Sequence, residues 1–313
     1  VDSIATARFE AGRHRLASLA YRLLGSAADA EDAVQDAFLQ WEAADRERIR
    51  TPEAWLTKVV TNLCLDRLRS ARARRERAVG AWLPEPLLDG DPMLGPDGTV
   101  EQRESVSLAV LTLMERLSPL ERAVYVLREA FSYGHAEIAG ILDITESASQ
   151  QHLHRARRRI TAARRHAGGE VDPASARRIV EEFLLAAASG RTERLVALLT
   201  DDATAVSDGA GLAATLMRYD SAERIAAVAR AGFKPTPAKR RFAGGTPTGY
   251  YARVNDGPAV LFVLDEQVIG AVTFDIANGR IATVRGIAAP ARLVRLTGAW
   301  RKHEPDTPLI TEW

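Results

Sequence analysis

A single cysteine in 313 residues, Cys64, excludes any intramolecular disulfide framework. Its place in an apolar helical stretch reads as a core thiol rather than a reactive one. There is no basic-then-apolar leader and no long apolar run, so neither secretion nor membrane insertion is expected, and a cytoplasmic globular protein is. The length allows two or three domains. Net charge is nearly absent too: 42 Lys and Arg face 41 Asp and Glu, for a formal +1. That balance hides segregation. Residues 29–47 hold seven acids against one Arg, residues 67–77 hold six arginines against one Glu, and residues 152–166 hold six arginines, three histidines and no carboxylate. The last stretch cannot neutralise itself and suits a phosphate backbone.

Leu117 to Ile160 reads as two short helices, a turn and a third helix with a base-reading face. His135 to Leu142 is the supporting helix, Asp143-Ile144-Thr145 the turn, and Glu146 to Ile160 the recognition helix. Ser149, Leu153, Ala156 and Ile160 recur at helical spacing as an inward stripe, while Ser147, Gln150, Gln151, His154, Arg155 and Arg158 share the opposite face. This is the pattern of a helix-turn-helix reader, although the helix dipole by itself also favours arginines near a C-terminus. Asp143 stands where such turns usually carry Gly, a substitution Asp tolerates. An inward Ser149 needs a carbonyl for its hydroxyl.

A helix starting after Thr51-Pro52, where Pro suits the first turn, carries the apolar stripe Leu56, Val59, Val60 and Leu63. Lys58, Asn62, Leu65, Arg69 and Arg72 fall on another face, which gives one side for a core and one for a polyanion. A lone charge run more often marks a solvated surface. Upstream, Asp29 to Trp41 places Val34, Ala37, Phe38 and Trp41 inward and repeats the spacing outward with Asp32, Gln35, Asp36 and Leu39. An exposed Leu among carboxylates points to a protein partner. The plainer reading is acids complementing a helix N-terminus beside one scattered apolar residue.

Residues 80–99 hold four prolines and four glycines, the composition of a linker. Within it Trp82-Leu83-Pro84-Glu85-Pro86-Leu87 is apolar and Pro-stiffened, suited to docking in a groove or to packing its Trp on the nearest domain. Beyond, Asp172-Pro173 opens a helix to about Ala188; Arg194 to Leu199 and Ala222 to Ala231 follow as helices. Strands are expected at Tyr250 to Val254, Ala259 to Leu264, Val268 to Ile276 and Ile281 to Ile287, with Asn278-Gly279 as a hairpin turn. Helices followed by a curved antiparallel sheet make an α+β domain. Asp208, Asp275, Tyr250, Tyr251 and His303 are the groups available for acid–base chemistry. They form no constellation readable from sequence, so no catalytic residue, metal or cofactor is assigned.

The stretches "YRLLGSAADAEDAVQDAFLQW" (21–41), "TPEAWLTKVVTNLCLDRLRSARARR" (51–75) and "LSPLERAVYVLREAFSYGHAEIAGILDITESASQQHLHRARRRI" (117–160) together resemble an extracytoplasmic-function sigma factor. The second half is similar to the SnoaL-like fold of polyketide cyclases and ketosteroid isomerases, and "WLPEPL" matches the linker of the SigJ-like group that combines the two. The resemblance implies a multidomain chain: sigma domain 2 (1–79), linker (80–104), sigma domain 4 with a helix-turn-helix (105–167), both all-α, and an α+β, cone-shaped SnoaL-like regulatory domain (168–313). It implies docking of Asp32, Gln35, Asp36 and Leu39 on the clamp helices of core RNA polymerase. Lys58, Asn62, Arg69 and Arg72 would serve the -10 element, and Ser147, Gln150, Gln151, Arg155 and Arg158 the -35 element. Trp82, Leu83, Pro84, Glu85 and Pro86, with the loop residues Asp208, Gly209 and Gly211, would make regulatory contacts between domains. That loop departs from the group's Gly-rich pattern at Ala210 and Leu212, and Ala289-Pro290-Ala291-Arg292-Leu293 stands for a later Asn-Pro-Asp-Lys-Leu signature. The expected function is promoter-specific transcription initiation modulated by the tail, without enzymatic activity. The competing reading is a DNA-binding metabolite sensor whose SnoaL-like domain binds or converts a small ligand.

Overall fold

The computed structural model describes residues 3–75, 83–95, 105–163, 171–211, 216–234 and 236–311; the candidate Trp82 and the side chain of Arg72 lie outside the described residues. The chain divides into two units, Val1–Val79 with Gly90–Ala163, and Gly80–Asp89 with Arg164–Trp313. No helix among the described residues is long and apolar enough to cross a membrane.

The first unit is helical: α1 (Ser3–Leu24), α2 (Ala27–Ala43), α3 (Pro52–Arg75), α4 (Leu108–Met114), α5 (Pro119–Glu129), α6 (His135–Leu142) and α7 (Glu146–Ala163). Its caps are legible in the chain. Ser26 accepts from the Asp29 N–H, and Ser118 with Glu121 forms a capping box in front of Pro119. Val34, Ala37 and Trp41 are buried as the spacing predicts, and Phe38 is half-buried with its ring 5.0 Å from Phe9. The Trp41 indole donates to the Ala5 carbonyl at 3.0 Å.

On α3 one expectation fails. Leu65, placed by spacing on the outward face, is buried, as are Thr57 and Thr61, while Val59 and Leu63 are only half-buried. The reason is that α3 packs against α1 and α2 and also against α5 and α6, so apolar groups are covered on more than one side. The Thr57 and Thr61 hydroxyls return to the helix, donating to the Glu53 and Thr57 carbonyls at 2.8 and 2.7 Å. Cys64 is fully buried, and desolvation pushes its thiol up to about 12, an unreactive core group.

The second unit comprises α8 (Pro173–Ala188), α9 (Thr192–Leu198), β1 (Leu199–Ser207), β2 (Met217–Tyr219), α10 (Ala222–Phe233), α11 (Pro237–Ala243), β3 (Thr248–Val254), β4 (Gly257–Leu264), β5 (Gln267–Ala277), β6 (Arg280–Ile287) and α12 (Pro290–Trp300). The strand order is β2-β1-β6-β5-β4-β3. The β3 to β6 meander is antiparallel as expected, but the sheet is mixed, because β1 pairs in parallel with β6. Sequence reading missed β1, which follows α9 without a Gly or Pro break and exposes Asp201 and Asp202. It also missed α12, whose Pro290 is an N1 proline. The three hairpin turns of the meander, Asn255-Asp256, Asp265-Glu266 and Asn278-Gly279, place both residues at positive φ. Such turns match the right-handed twist of the strands they join. Phe183 of α8 stacks edge-on against Phe233 and Phe274 at 6.4 and 5.6 Å, joining the helices to the inner sheet face.

Candidate nucleic-acid interface

The recognition helix α7 divides as its sequence predicts. Ser149, Leu153, Ala156 and Ile160 are all buried, and Ser147, Gln150, Gln151, His154, Arg155 and Arg158 are exposed. The turn before it depends on Asp143, which adopts the left-handed conformation at φ 53, ψ 47 where a Gly is usual. Ser149 is fully buried, and its hydroxyl finds no carbonyl among the described residues. It pairs instead with His135 Nδ1 at 2.9 Å, which ties the start of α6 to the first turns of α7. A polar group at an inward position is tolerable once it is hydrogen-bonded.

Arg155 is exposed but engaged. Its Nε donates to Glu121 Oε1 at 3.1 Å, and Arg159 Nη1 donates to Glu121 Oε2 at 2.6 Å. The Glu121 carboxylate, buried at the first turn of α5, therefore fixes the rotation of α7 about its axis. Burial alone would push that carboxyl up. The Ser118 backbone N–H and hydroxyl, with Arg159 and Arg155, outweigh burial and hold it below its usual range. Arg157 makes a parallel contact through Nε and Nη2 with Glu129 Oε1, at 3.0 and 2.7 Å. Sequence reading missed both acids, although Ser118-Pro119 with Glu121 was a capping signal in plain view.

On α3, Arg69 is exposed with its guanidinium 3.0 Å from Asp66, and Asn62 is half-buried. Lys58 is held: its Nζ donates to the Gly140 carbonyl at 3.1 Å and to Asp143 Oδ1 at 2.7 Å, both in the helix-turn-helix. The Tyr133 hydroxyl lies 2.5 Å from Arg15 Nη2 and 3.2 Å from Thr57 Oγ1, a second bridge between the parts of this unit. Arg22, buried among these helices, donates to Ser105 Oγ at 2.9 Å and the Leu94 carbonyl at 2.8 Å, and desolvation lowers its pKa to about 10.

The outward face of α2 presents Asp32, Gln35 and Leu39, with Leu39 57% exposed. Asp36 differs: its Oδ2 accepts from Arg67 Nη2 at 2.6 Å, and Asp32 lies 3.9 Å from the same guanidinium. Arg67 thus links α2 to α3, a role its place in an arginine run concealed.

The linker and loop candidates are engaged inside the second unit. Leu83, Pro84, Glu85, Pro86 and Leu87 are all buried. Leu87 N–H donates to Asn255 Oδ1 at 2.8 Å, and Asn255 N–H donates back to the Leu87 carbonyl at 2.9 Å. Leu88 bridges Val254, the Asp89 carboxylate accepts from Arg253 Nε and Asp256 N–H at 2.9 Å each, and Arg292 donates to the Leu83 carbonyl. Asp208 is buried, and its carboxylate accepts from the backbone N–H groups of Ala288, Ala289 and Ala210 at 2.9, 3.0 and 3.1 Å. It closes the Gly209–Gly211 turn onto the start of α12.

Residues 9–74 match the family model for sigma-70 region 2, and residues 107–160 the model for sigma-70, region 4. The ECF RNA polymerase sigma factor SigJ of Mycobacterium tuberculosis is 42% identical over 210 residues, 67% of each chain. The probable ECF RNA polymerase sigma factor SigI of the same species is 31% identical over 293 residues, 92% of this chain and 94% of the relative. The crystal structure of the M. tuberculosis SigJ sigma factor shares the fold at a TM-score of 0.67 and 28% identity, over 92% of this chain and 97% of that one. Helix α3 lies within the region 2 match except for its last residue, and α7 begins within the region 4 match. The chain belongs to the extracytoplasmic-function sigma factors of RNA polymerase, which direct core enzyme to promoters for transcription initiation.

Proposed function

We propose that α7 reads the -35 element in the major groove through Ser147, Gln150, Gln151 and Arg158, with Arg155 supporting phosphate contact while Glu121 fixes its stem. The observation that carries this is the division of α7 into a buried stripe and an exposed polar face free of carboxylates after Glu146. Helix α3 serves the -10 element through Lys58, Asn62, Arg69 and Arg72, where extruded bases need polar edges and arginines hold the backbone. Asp32, Gln35 and Leu39 face the polymerase clamp helices; Asp36 contributes through Arg67. Transcription from promoters with base changes in each element tests the assignment. Gln151→Ala should relax discrimination at one -35 position by about 1–3 kcal/mol, and equal losses on all duplexes would count against base reading.

The first unit is read as a resting state. Lys58 is occupied by Asp143 and Gly140 of the helix-turn-helix, so engaging DNA requires exchanging that partner for a phosphate. Within the second unit Leu83 to Asp89 are held by Asn255 and Arg253, and this hold on the linker is read as the means by which the tail modulates initiation. A ligand or polymerase can shift such an equilibrium only by its differential affinity for the two states. The tail is read as non-catalytic. Asp208 is spent on backbone N–H groups, Asp275 is paired bidentately with Arg285 at 2.8 and 2.6 Å, Tyr250 stacks on Trp300, and Tyr251 lies under Arg177. Run-off transcription with core enzyme, comparing the full chain with one ending near Ala167, tests the modulation.

A further inference from the structure

The recognition helix α7 is held from two sides, and the two holds sit at opposite ends of its reading face. Near its start the Ser149 hydroxyl lies 2.9 Å from His135 Nδ1, a residue 14 positions earlier in the chain. Among the described residues this is the one hydrogen bond that joins α6 to α7. From its middle onward α7 is held by α5: Glu121 accepts from Arg155 and Arg159, and Glu129 accepts from Arg157. The proposed base-reading residues divide in the same way. Ser147, Gln150 and Gln151 flank Ser149, and Arg158 lies between Arg157 and Arg159. Seven residues of helix separate Gln151 from Arg158, about 10 Å along the axis, or about three base pairs of duplex.

Each partner of the first hold is fixed on its own side. Glu137 accepts from the Gly134 N–H at 2.7 Å and caps α6 in front of His135, and Thr145 Oγ1 accepts from the Ala148 N–H at 3.1 Å at the start of α7. Ser149 belongs to the inward stripe with Leu153, and its N–H is committed to the Thr145 carbonyl at 3.0 Å. A buried hydroxyl that loses its partner carries a desolvation penalty. It can relieve that penalty by turning onto the carbonyl four residues back, which bends a helix, or by carrying this end of α7 toward water. Either movement displaces the residues beside it and leaves the end held by α5 in place. We infer that His135 is a positioning residue for promoter reading: through Ser149 it sets Ser147, Gln150 and Gln151 against the bases, independently of Arg158. The inference rests on α7 being the reader of the -35 element.

The test is in vitro transcription by core RNA polymerase with the full chain, from promoters carrying each single-base change in the upstream element. Gln151→Ala and Arg158→Ala first mark the positions that each end of α7 reads. Ser149→Ala removes the hydroxyl without leaving a buried polar group on α7, and Ala is the best helix former, so the fold is kept. It should lower discrimination ~fivefold or more at the positions marked by Gln151→Ala, and leave those marked by Arg158→Ala at the parent value. His135→Phe should give the same pattern and should add nothing in the Ser149→Ala background, because the two residues act as one pair. His135→Asn, which keeps a polar atom near the place of Nδ1, should retain discrimination. Parent-like discrimination by Ser149→Ala, or an equal loss at both sets of positions, would overturn the inference whether or not His135→Phe folds. So would equal losses from His135→Asn and His135→Phe. If neither Gln151→Ala nor Arg158→Ala relaxed any upstream position, the reading of α7 would fall and the inference with it.

Discussion

Replacing Glu121 by Gln separates two things its carboxylate does at once. The amide keeps the size of the side chain and an oxygen for the Ser118 N–H, now 2.9 Å from Oε2, so the capping box survives in part. The charge is lost, and with it the ion pairs to Arg155 and Arg159, whose side chains are 46% and 52% exposed. Solvent screening of the arginines limits each pair to less than about 1 kcal/mol, so thermal stability should fall by about 1–2 kcal/mol in total. Duplex binding should move the other way. Two guanidinium groups on α7, the helix proposed to face DNA, lose their internal partner, and each that takes a phosphate steepens the logarithmic salt dependence by up to ~0.9. The variant should bind non-specific duplex more tightly at low salt, with a slope more negative by about 1–2. The pH dependence gives an independent check. A carboxyl held below its usual range in the folded state contributes stability that is present above its unfolded pKa of roughly 4.3 and is lost as pH falls through the lower folded value. The parent should therefore lose this contribution below about pH 4.3, and the Gln variant should show a flatter curve there. Unchanged salt slope together with an unchanged acid limb would refute the assignment of Glu121 as the partner of these arginines.

Asp208→Ala strips acceptors from three backbone N–H groups in a buried turn, and should cost about 2–4 kcal/mol in denaturant unfolding, with faster amide exchange at Ala288 and Ala289. Asn255→Ala removes the side-chain acceptor of the buried Leu87 N–H, so amide exchange at Leu87 should rise well above the parent rate while the β3–β4 hairpin persists. Leu39→Asp should weaken core-polymerase association without lowering the melting temperature. Asp36→Arg should lower both, because it opposes Arg67; identical melting curves for these two variants would argue against the Arg67 link.

The helical half was readable because its signals are local. The Pro52 helix start and the stripe from Ser149 to Ile160 are properties of neighbouring residues, as are the caps at Ser26 and Ser118, which sequence reading passed over. The meander was readable for the same reason, from alternation and the Asn278-Gly279 turn. What was lost depended on distant partners. Leu65 looked outward although α3 packs on more than one side, and Asp208 and the linker acquired their roles only through Ala288, Asn255 and Arg253. Arg155, Lys58 and Asp36 matched a binding face by type and spacing, but nothing in a linear pattern reveals that Glu121, Asp143 and Arg67 already engage them. The parallel β1–β6 pairing, joining strands about 80 residues apart, is likewise beyond the reach of any periodicity.

The central claim is that this chain confers promoter choice on core RNA polymerase through α3 and α7. The direct measurement is in vitro transcription by purified core enzyme from a pool of randomised upstream fragments, with and without the full chain, and with Gln151→Ala in its place. The account predicts transcripts that require the chain, enrichment of two spaced elements, and relaxed preference within the upstream element alone for the variant. Binding of the chain to duplex DNA without any chain-dependent transcript, or a variant that relaxes both elements equally, would contradict it.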